Sequence, residues 1–140
     1  MLPPYDELHA ALRRSIKPTG GPSNGGLDNH VYAVLVDSTG VVCAVTRTGG
    51  LHQTWLASRS LAAAKAATAV SVSLDNFALS SANLYSANQP GGWMYGSSVL
   101  GAGGTLAFAL GSGDAFGTDD DPMVGQRVVG MVSFGGGLPL

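Results

Sequence analysis

The chain has 140 residues, of which 45% are hydrophobic and only 11% are charged, and its formal net charge is −2. This length fits a single domain, residues 1–140, and the charged fraction lies well below the roughly 25% of an average domain. The few cations are scattered and form no basic stripe, which excludes nucleic acid as an expected partner.

Sequence segments that would place the chain in or across a membrane are missing. The apolar runs fall short of the roughly 20 residues of a membrane-spanning helix, and no N-terminal signal peptide is visible. The single cysteine, Cys43, excludes an internal disulfide and fits a reducing compartment. The sequence therefore predicts a cytoplasmic protein with no membrane partner. The scarcity of charge also predicts a homo-oligomer, a dimer or larger, because such surfaces are commonly covered by other subunits.

The N-terminal region, residues 1–28, predicts a helix followed by a loop. Two prolines and two acidic residues open the helix, and Leu8, Leu12 and Ile16 repeat at helical spacing along one face. Two runs rich in β-branched residues follow, at 30–36 and 41–47. Because a short turn sequence separates these runs, they predict an antiparallel hairpin.

The stretch from Trp55 to Ser73 is alanine-rich and predicts a helix of about five turns, with Thr54 or Ser58 as its N-cap. Its small side chains allow close packing, so we expect the helix to be largely buried. Lys65 falls on a face of small and apolar residues, where a cation costs free energy unless an anion meets it. Two interpretations stay open: Lys65 reaches solvent or pairs with Asp37, or it binds an acidic ligand.

The remaining elements complete the predicted layout. They are a short helix or turn at 79–85, a sharp loop at 89–92, a strand at 105–110, an acidic loop at 111–122, a strand at 127–134 and a glycine-rich tail at 135–140. This order of helices and strands predicts an α+β fold with an antiparallel sheet.

Side chains that could carry chemistry are few. None of the histidines, His9, His30 and His52, lies at a metal-ligand spacing from another ligand residue. His9 is predicted to be a surface or packing residue. His30 and His52 lie at the ends of predicted elements, where each is either structural or a ligand-binding or acid–base group. Cys43 alternates with apolar residues and is predicted to lie in the core, and the acidic loop lacks the spacing of a calcium site.

Three segments together, VDSTGVVCAVTRTGG, WLASRSLAAAKAATAVSVS and LSSANLYSANQPGG, resemble the GlcG/HbpS-like family of haem-binding or haem-degrading domains. The matching positions are Asp37, Gly40, Arg47, Lys65, Ala66, Thr68, Ala69, Leu79 and Ser80. The resemblance implies a profilin-like sandwich, with an approximately five-stranded antiparallel sheet, helices packed on it, and assembly into homo-oligomers. Typical members continue with a further helix after the last strand, whereas this sequence stops at Leu140.

The resemblance further implies a small-ligand-binding protein whose ligand is haem, or a related tetrapyrrole or iron. His30 or His52 would then be the axial donor to the haem iron, with Met94 as a further candidate. The other ligand-binding candidates are three cations for the propionates and two indoles that stack on the macrocycle: Arg47, Arg59, Lys65, Trp55 and Trp93.

The competing interpretation is a small enzyme without an organic cofactor, an isomerase, cyclase or lyase acting on an anionic organic substrate in the same pocket. Lys65 or Arg47 would bind the anionic group, and His30 or His52 would transfer a proton. The predicted catalytic residues are therefore His30, His52 and Lys65. A structural or carrier subunit is a third interpretation.

Overall fold

The structure, a computed structural model, describes residues 2–16, 29–95, 111–128 and 131–140. These residues form two α-helices, a two-stranded antiparallel sheet and several short 3-10 helices, which confirms the predicted α+β class. Helix α1 is Tyr5–Ser15, strand β1 is Tyr32–Val36, strand β2 is Val42–Arg47 and helix α2 is Ser58–Ser71. The short 3-10 helices are Ser81–Leu84, Ser86–Asn88 and Gly113–Ala115. No helix within these ranges is long and apolar enough to cross a membrane.

Helix α1 begins directly after Pro4, as the prolines and the acidic first turn predict. The helix contacts β2, yet none of its residues is buried, and Leu8 and Leu12 are only half-buried. Helix α1 therefore lies on the hairpin without closing over it, and part of the surface between them stays open.

Strands β1 and β2 form the predicted hairpin. Tyr32 lies opposite Arg47, and Val34 lies opposite Val45, with an irregularity in register before Val36. Val45 is fully buried at 0% exposure, because the hairpin turns this side chain towards α2 and the core. The core cluster consists of Tyr32, Val42, Val45, Ala63 and Met123.

The turn of the hairpin is closed by the Asp37 carboxylate. Its Oδ1 accepts hydrogen bonds from the Val41 N–H at 3.0 Å and from the Thr39 N–H and hydroxyl, each at 2.8 Å. The bond from Val41, followed by that from the Thr39 hydroxyl, lowers the pKa of Asp37, because both stabilise the charged carboxylate.

Helix α2 packs against β1 through its alanines, and Ala63, Ala64 and Ala69 are completely buried. The predicted helix is confirmed, but with its 14 residues it is about one turn shorter than predicted, and its predicted N-caps are wrong. Ala57 is the cap residue and makes no side-chain capping bond. The Thr54 hydroxyl instead donates to the Thr48 carbonyl at 2.7 Å, so it fastens the loop before the helix to the end of β2.

The five-stranded sheet is not seen in the described parts of the chain, whose sheet has two strands. The predicted strand at 105–110 lies outside the described residues, and so do residues 129 and 130 of the predicted strand at 127–134. Arg127 forms only an isolated bridge with Val41. The segment after it bonds to side chains, since the Val132 N–H donates to Thr68 Oγ1 at 2.8 Å and Ser81 Oγ donates to the Phe134 carbonyl at 2.5 Å. These backbone groups are therefore satisfied without a strand ladder.

The predicted core position of Cys43 is wrong, because its side chain is exposed. Cys43 lies at the irregularity in register, between Val42, which pairs with Val36, and Ala44, which pairs with Leu35. The extra residue of a β-bulge departs from the regular alternation of side chains, and here its side chain faces solvent. The predicted short helix at 79–85 is confirmed by the 3-10 helix Ser81–Leu84.

Candidate functional site

A cleft of about 530 Å³ opens between α1 and the end of the hairpin. This volume falls within the roughly 300–1,000 Å³ that is common for small-molecule sites. The described residues that line it are His9, Arg13, Ile16, His30, Arg47, Thr48 and Gly49. Two arginines and two histidines thus meet in a chain whose net charge is −2, and no carboxylate occurs among these lining residues. Such a lining favours an anionic ligand.

His30 and Arg47 come from the two paired segments of the hairpin, His30 from just before β1 and Arg47 from the end of β2. Arg47 ends β2, and beyond it the Thr48 N–H donates to the Val31 carbonyl at 3.1 Å, which keeps the two chain segments together. Because side chains alternate along paired strands, this register turns His30 and Arg47 to the same face.

Both of these side chains carry a buried polar atom that has no hydrogen-bond partner among the described residues, Nδ1 in His30 and Nη1 in Arg47. Leaving such an atom unsatisfied costs about 1–3 kcal/mol, and buried polar atoms are nearly always paired. Arginine Nη1 is a donor, and histidine Nδ1 is a donor in one tautomer and in the charged ring. The hydroxyl of Tyr32, which lies opposite Arg47 in the hairpin, is likewise buried and has no partner in the described part of the chain.

His9 forms the opposite wall of the cleft. Its Nδ1 lies 2.7 Å from Oγ1 of the fully buried Thr46, and its ring stacks on Tyr5 with centroids 5.7 Å apart. Arg13 follows one helical turn later on the same face of α1. The prediction of a plain surface or packing role for His9 therefore misses its place beside the cleft, and sequence reasoning missed Arg13 altogether. Their i, i+4 spacing is the pattern that could have indicated a shared site.

The residues predicted from the sequence do not all meet. His30 and Arg47 line the cleft together, whereas His52 is exposed in the turn that precedes α2. The predicted stacking residues are solvent-facing, with Trp55 67% and Trp93 84% exposed. Met94 is buried at 6% exposure but is not among the lining residues of the cleft. The described cleft thus contains His30 and Arg47, and its lining does not include His52, Trp55, Trp93 or Met94.

Arg59 is engaged in a buried ion pair with Asp121, and both residues are 2% exposed. Its Nε donates to Asp121 Oδ2 at 2.8 Å, and its guanidinium lies 4.1 Å from the centre of the Phe116 ring. Asp121 also accepts the N–H of Gly117 at 2.6 Å and that of Met123 at 2.8 Å. A guanidinium held in this way is structural, and the predicted propionate contact of Arg59 would require the pair to break.

Lys65 is half-buried and lies along the C-terminal segment, where a Cβ placed on Gly136 would be 3.5 Å from its Nζ. The interpretation in which Lys65 pairs with Asp37 is wrong, because Lys65 forms no ion pair within the described ranges, and Asp37 Oδ1 instead accepts hydrogen bonds from its own turn. Lys65 lines neither the cleft nor the groove of about 750 Å³ between α2 and the tail. The cation that the sequence places at the centre of the site is therefore away from it.

Comparison with known proteins adds no relative, because no family model, curated protein or solved structure matches the chain. The resemblance to GlcG/HbpS-like domains therefore stays a prediction that rests on the sequence motifs.

Proposed function

We propose that the chain is a small-ligand-binding protein that takes a carboxylate-bearing ligand in the cleft between α1 and the hairpin. The observation that supports this most directly is that two buried atoms, Arg47 Nη1 and His30 Nδ1, have no hydrogen-bond partner within the ranges that the structure describes. A ligand carboxylate would accept charge-assisted hydrogen bonds from both and remove the cost of leaving them unpaired. His9 and Arg13 on the opposite wall would meet a second polar group of the same ligand.

Haem, or a related tetrapyrrole, is the carboxylate-bearing ligand that the family resemblance implies. The polar part of the lining fits haem, since His9 or His30 would supply the axial nitrogen and Arg13 and Arg47 would bind the propionates. The described lining offers a single aliphatic side chain, Ile16, to cover the macrocycle. The fit is therefore good for the polar groups of haem and poor for its apolar face.

A second candidate function is proton transfer on an anionic organic substrate, as in an isomerase, cyclase or lyase. The observation in its favour is that two imidazoles, His9 and His30, line one cleft, and that His9 is oriented by Thr46 at 2.7 Å. One imidazole would remove a proton and the other would return it, while Arg47 holds the anionic group. In this form His30 and Arg47 keep roles that the sequence analysis gives them, and His9 takes the place of His52.

Titration with haemin and with succinate tests the shared proposal. Replacing Arg47 by Gln should weaken binding of the responding ligand about 10- to 100-fold, since a hydrogen bond to a charged group contributes about 1.5–3 kcal/mol. The matched control is Arg14→Gln, which removes the same charge from an exposed position on α1 outside the cleft lining. Wild-type protein that binds neither probe would contradict the proposal, and so would equal losses in the two variants.

The same titrations separate the two functions. A sharpened Soret band that is lost in His30→Ala or His9→Ala and kept in His52→Ala supports haem binding. Thermal stabilisation by succinate without a haemin response supports the small organic acid. His52 is a suitable control because it is exposed and lies outside the cleft lining.

The chain also has features of a subunit in a homo-oligomer, and we include this assembly in the proposal. Charged residues make up only 11% of the chain, and many large apolar side chains are exposed in the described ranges. They are Trp55, Leu56, Leu74, Phe77, Tyr85, Trp93, Tyr95, Val124, Phe134, Leu138 and Leu140. Exposed apolar surface of this kind commonly marks an interaction surface. The five-stranded profilin-like sandwich and the cytoplasmic location stay predictions from the sequence.

A further inference from the structure

Two glycines lie directly against the two anchor residues of the cleft. A Cβ placed on Gly49 would be 2.6–2.8 Å from three atoms of the His30 ring. A Cβ placed on Gly117 would be 2.7–2.9 Å from three carbon atoms of the Arg47 side chain. All of these distances are shorter than 3.0 Å, and real Cβ atoms essentially never approach another atom that closely. The imidazole of His30 and the aliphatic part of the Arg47 side chain therefore pack directly against the backbone of Gly49 and Gly117.

The backbone at Gly117 is fixed from two directions. The Asp121 carboxylate, paired with Arg59, accepts the Gly117 N–H at 2.6 Å. The Gly117 carbonyl accepts a hydrogen bond from the Tyr5 hydroxyl at 3.3 Å, and Tyr5 stacks on His9. Gly117 thus connects the buried ion pair to both walls of the cleft.

The backbone around Gly49 is also held by hydrogen bonds. The neighbouring Thr48 accepts the Val31 N–H on its Oγ1 at 3.0 Å, and its carbonyl accepts the Thr54 hydroxyl at 2.7 Å. These bonds anchor the chain immediately before Gly49, next to the His30 ring.

Two other glycines show that a left-handed backbone does not by itself require this contact. Gly49 and Gly117 have φ of +73° and +77°, and Gly40 and Gly125 have similar values of +81° and +82°. A Cβ on Gly40 or Gly125 would meet nothing within 4 Å. The backbone conformation alone accounts for glycine at 40 and 125. At 49 and 117, a side chain would in addition displace a cleft residue.

We propose that Gly49 and Gly117 are positioning residues of the cleft, which set where His30 Nδ1 and Arg47 Nη1 point by leaving space for the ring and for the aliphatic part of the arginine side chain. The consequence for ligand binding rests on the proposed function, whereas the positioning itself is measurable without ligand. Small displacements matter because a binding site has to hold its groups within about 0.5 Å of the productive geometry.

The test compares Gly49→Ala and Gly117→Ala with the matched controls Gly40→Ala and Gly125→Ala, which introduce the same backbone strain into open space. Affinity for whichever of haemin and succinate binds the wild type should fall about tenfold or more in the first two variants and change by less than about twofold in the controls. Equal affinities in all four variants would overturn the positioning role and leave the proposed function standing.

A ligand-free measurement decides the inference even if the wild type binds neither probe. The ring resonances of His30 in NMR spectra should shift in Gly49→Ala and stay in place in Gly40→Ala. His30→Ala removes all three atoms that the added methyl group would meet. In that background Gly49→Ala should destabilise the protein no more than Gly40→Ala, and the double variant should fold even if Gly49→Ala alone does not. Two results would refute the positioning of His30: ring resonances that do not shift, or a loss of stability from Gly49→Ala that is the same in the wild type and in the His30→Ala background.

Discussion

At the scale of single residues, Asp37 shows how one carboxylate determines a hairpin turn. Its Oδ1 accepts the N–H groups of Val41 and Thr39 and the Thr39 hydroxyl, and these bonds lower its pKa below the ordinary value of 3.8. A carboxyl whose folded pKa is lowered stabilises the fold fully above its unfolded pKa, and this contribution is lost as the pH falls through the folded value.

The pH dependence of unfolding therefore contains a contribution from Asp37. Asp37→Asn keeps an oxygen acceptor but does not titrate, so its stability should fall less steeply than that of the wild type as the pH falls below about 4. Urea unfolding at a series of pH values measures this slope. Asp75→Asn, at an exposed position, is the matched control for removing one carboxylate charge. An unchanged slope in Asp37→Asn would mean that the turn bonds do not stabilise the charged form.

At the scale of elements, the buried pair of Arg59 and Asp121 joins the first turn of α2 to the loop that contains Gly117. The sequence separation of the two residues is 62, and the Phe116 ring covers the guanidinium at 4.1 Å. Breaking a buried pair by removing one partner is strongly destabilising, because the other charge stays in the interior without compensation.

Asp121→Ala should accordingly lower the free energy of unfolding by about 3–5 kcal/mol. The double variant Arg59→Met with Asp121→Leu should recover part of this loss, because it leaves neither charge in the interior. The recovery should be incomplete, because the N–H groups of Gly117 and Met123 lose their acceptor. Chemical denaturation of the three proteins measures the difference. Asp119→Ala, at an exposed position in the same loop, should change stability by less than about 0.5 kcal/mol. If Asp121→Ala and Asp119→Ala lower the free energy of unfolding by similar amounts, the buried ion pair does not stabilise the fold as expected.

The elements that were predicted correctly depend on local patterns in the sequence. The prolines and acids of α1, the β-branched runs around Asp37 and the alanines of α2 each determine structure within a few residues. The buried face of α2 was predicted less well, because alanines on nearly every side leave no periodic pattern to distinguish one face from another. Sequence reasoning consequently placed Lys65 at the centre of the site and assigned Arg59 to a ligand.

The candidate site was predictable only in part, because local patterns in the sequence do not show which distant segments come into contact. His30 and Arg47 lie near the ends of the hairpin strands, where a pocket is expected, and both were found. His9 reaches the site through Thr46, which is 37 residues away, and no spacing within α1 indicates which element the helix will meet. Gly117 likewise contacts Arg47 and Tyr5, which are distant in sequence, so its place beside the site could not be read from its own loop.

At the scale of the whole molecule, the low charge and the exposed apolar side chains predict self-association. Light scattering coupled to size exclusion should give a mass that is a multiple of the 14.1 kDa of one chain. Because apolar contacts would hold the subunits together, the assembly should persist at high salt concentration. A mass of a single chain at every protein concentration would contradict the proposed homo-oligomer.

The ion pair between Arg59 and Asp121 also constrains how natural variants of this chain can arise. Neither position can change first without passing through an intermediate that carries one lone interior charge and has lost much of its stability. Descendants should therefore keep both residues or exchange both, so that substitutions at 59 and 121 are inherited together.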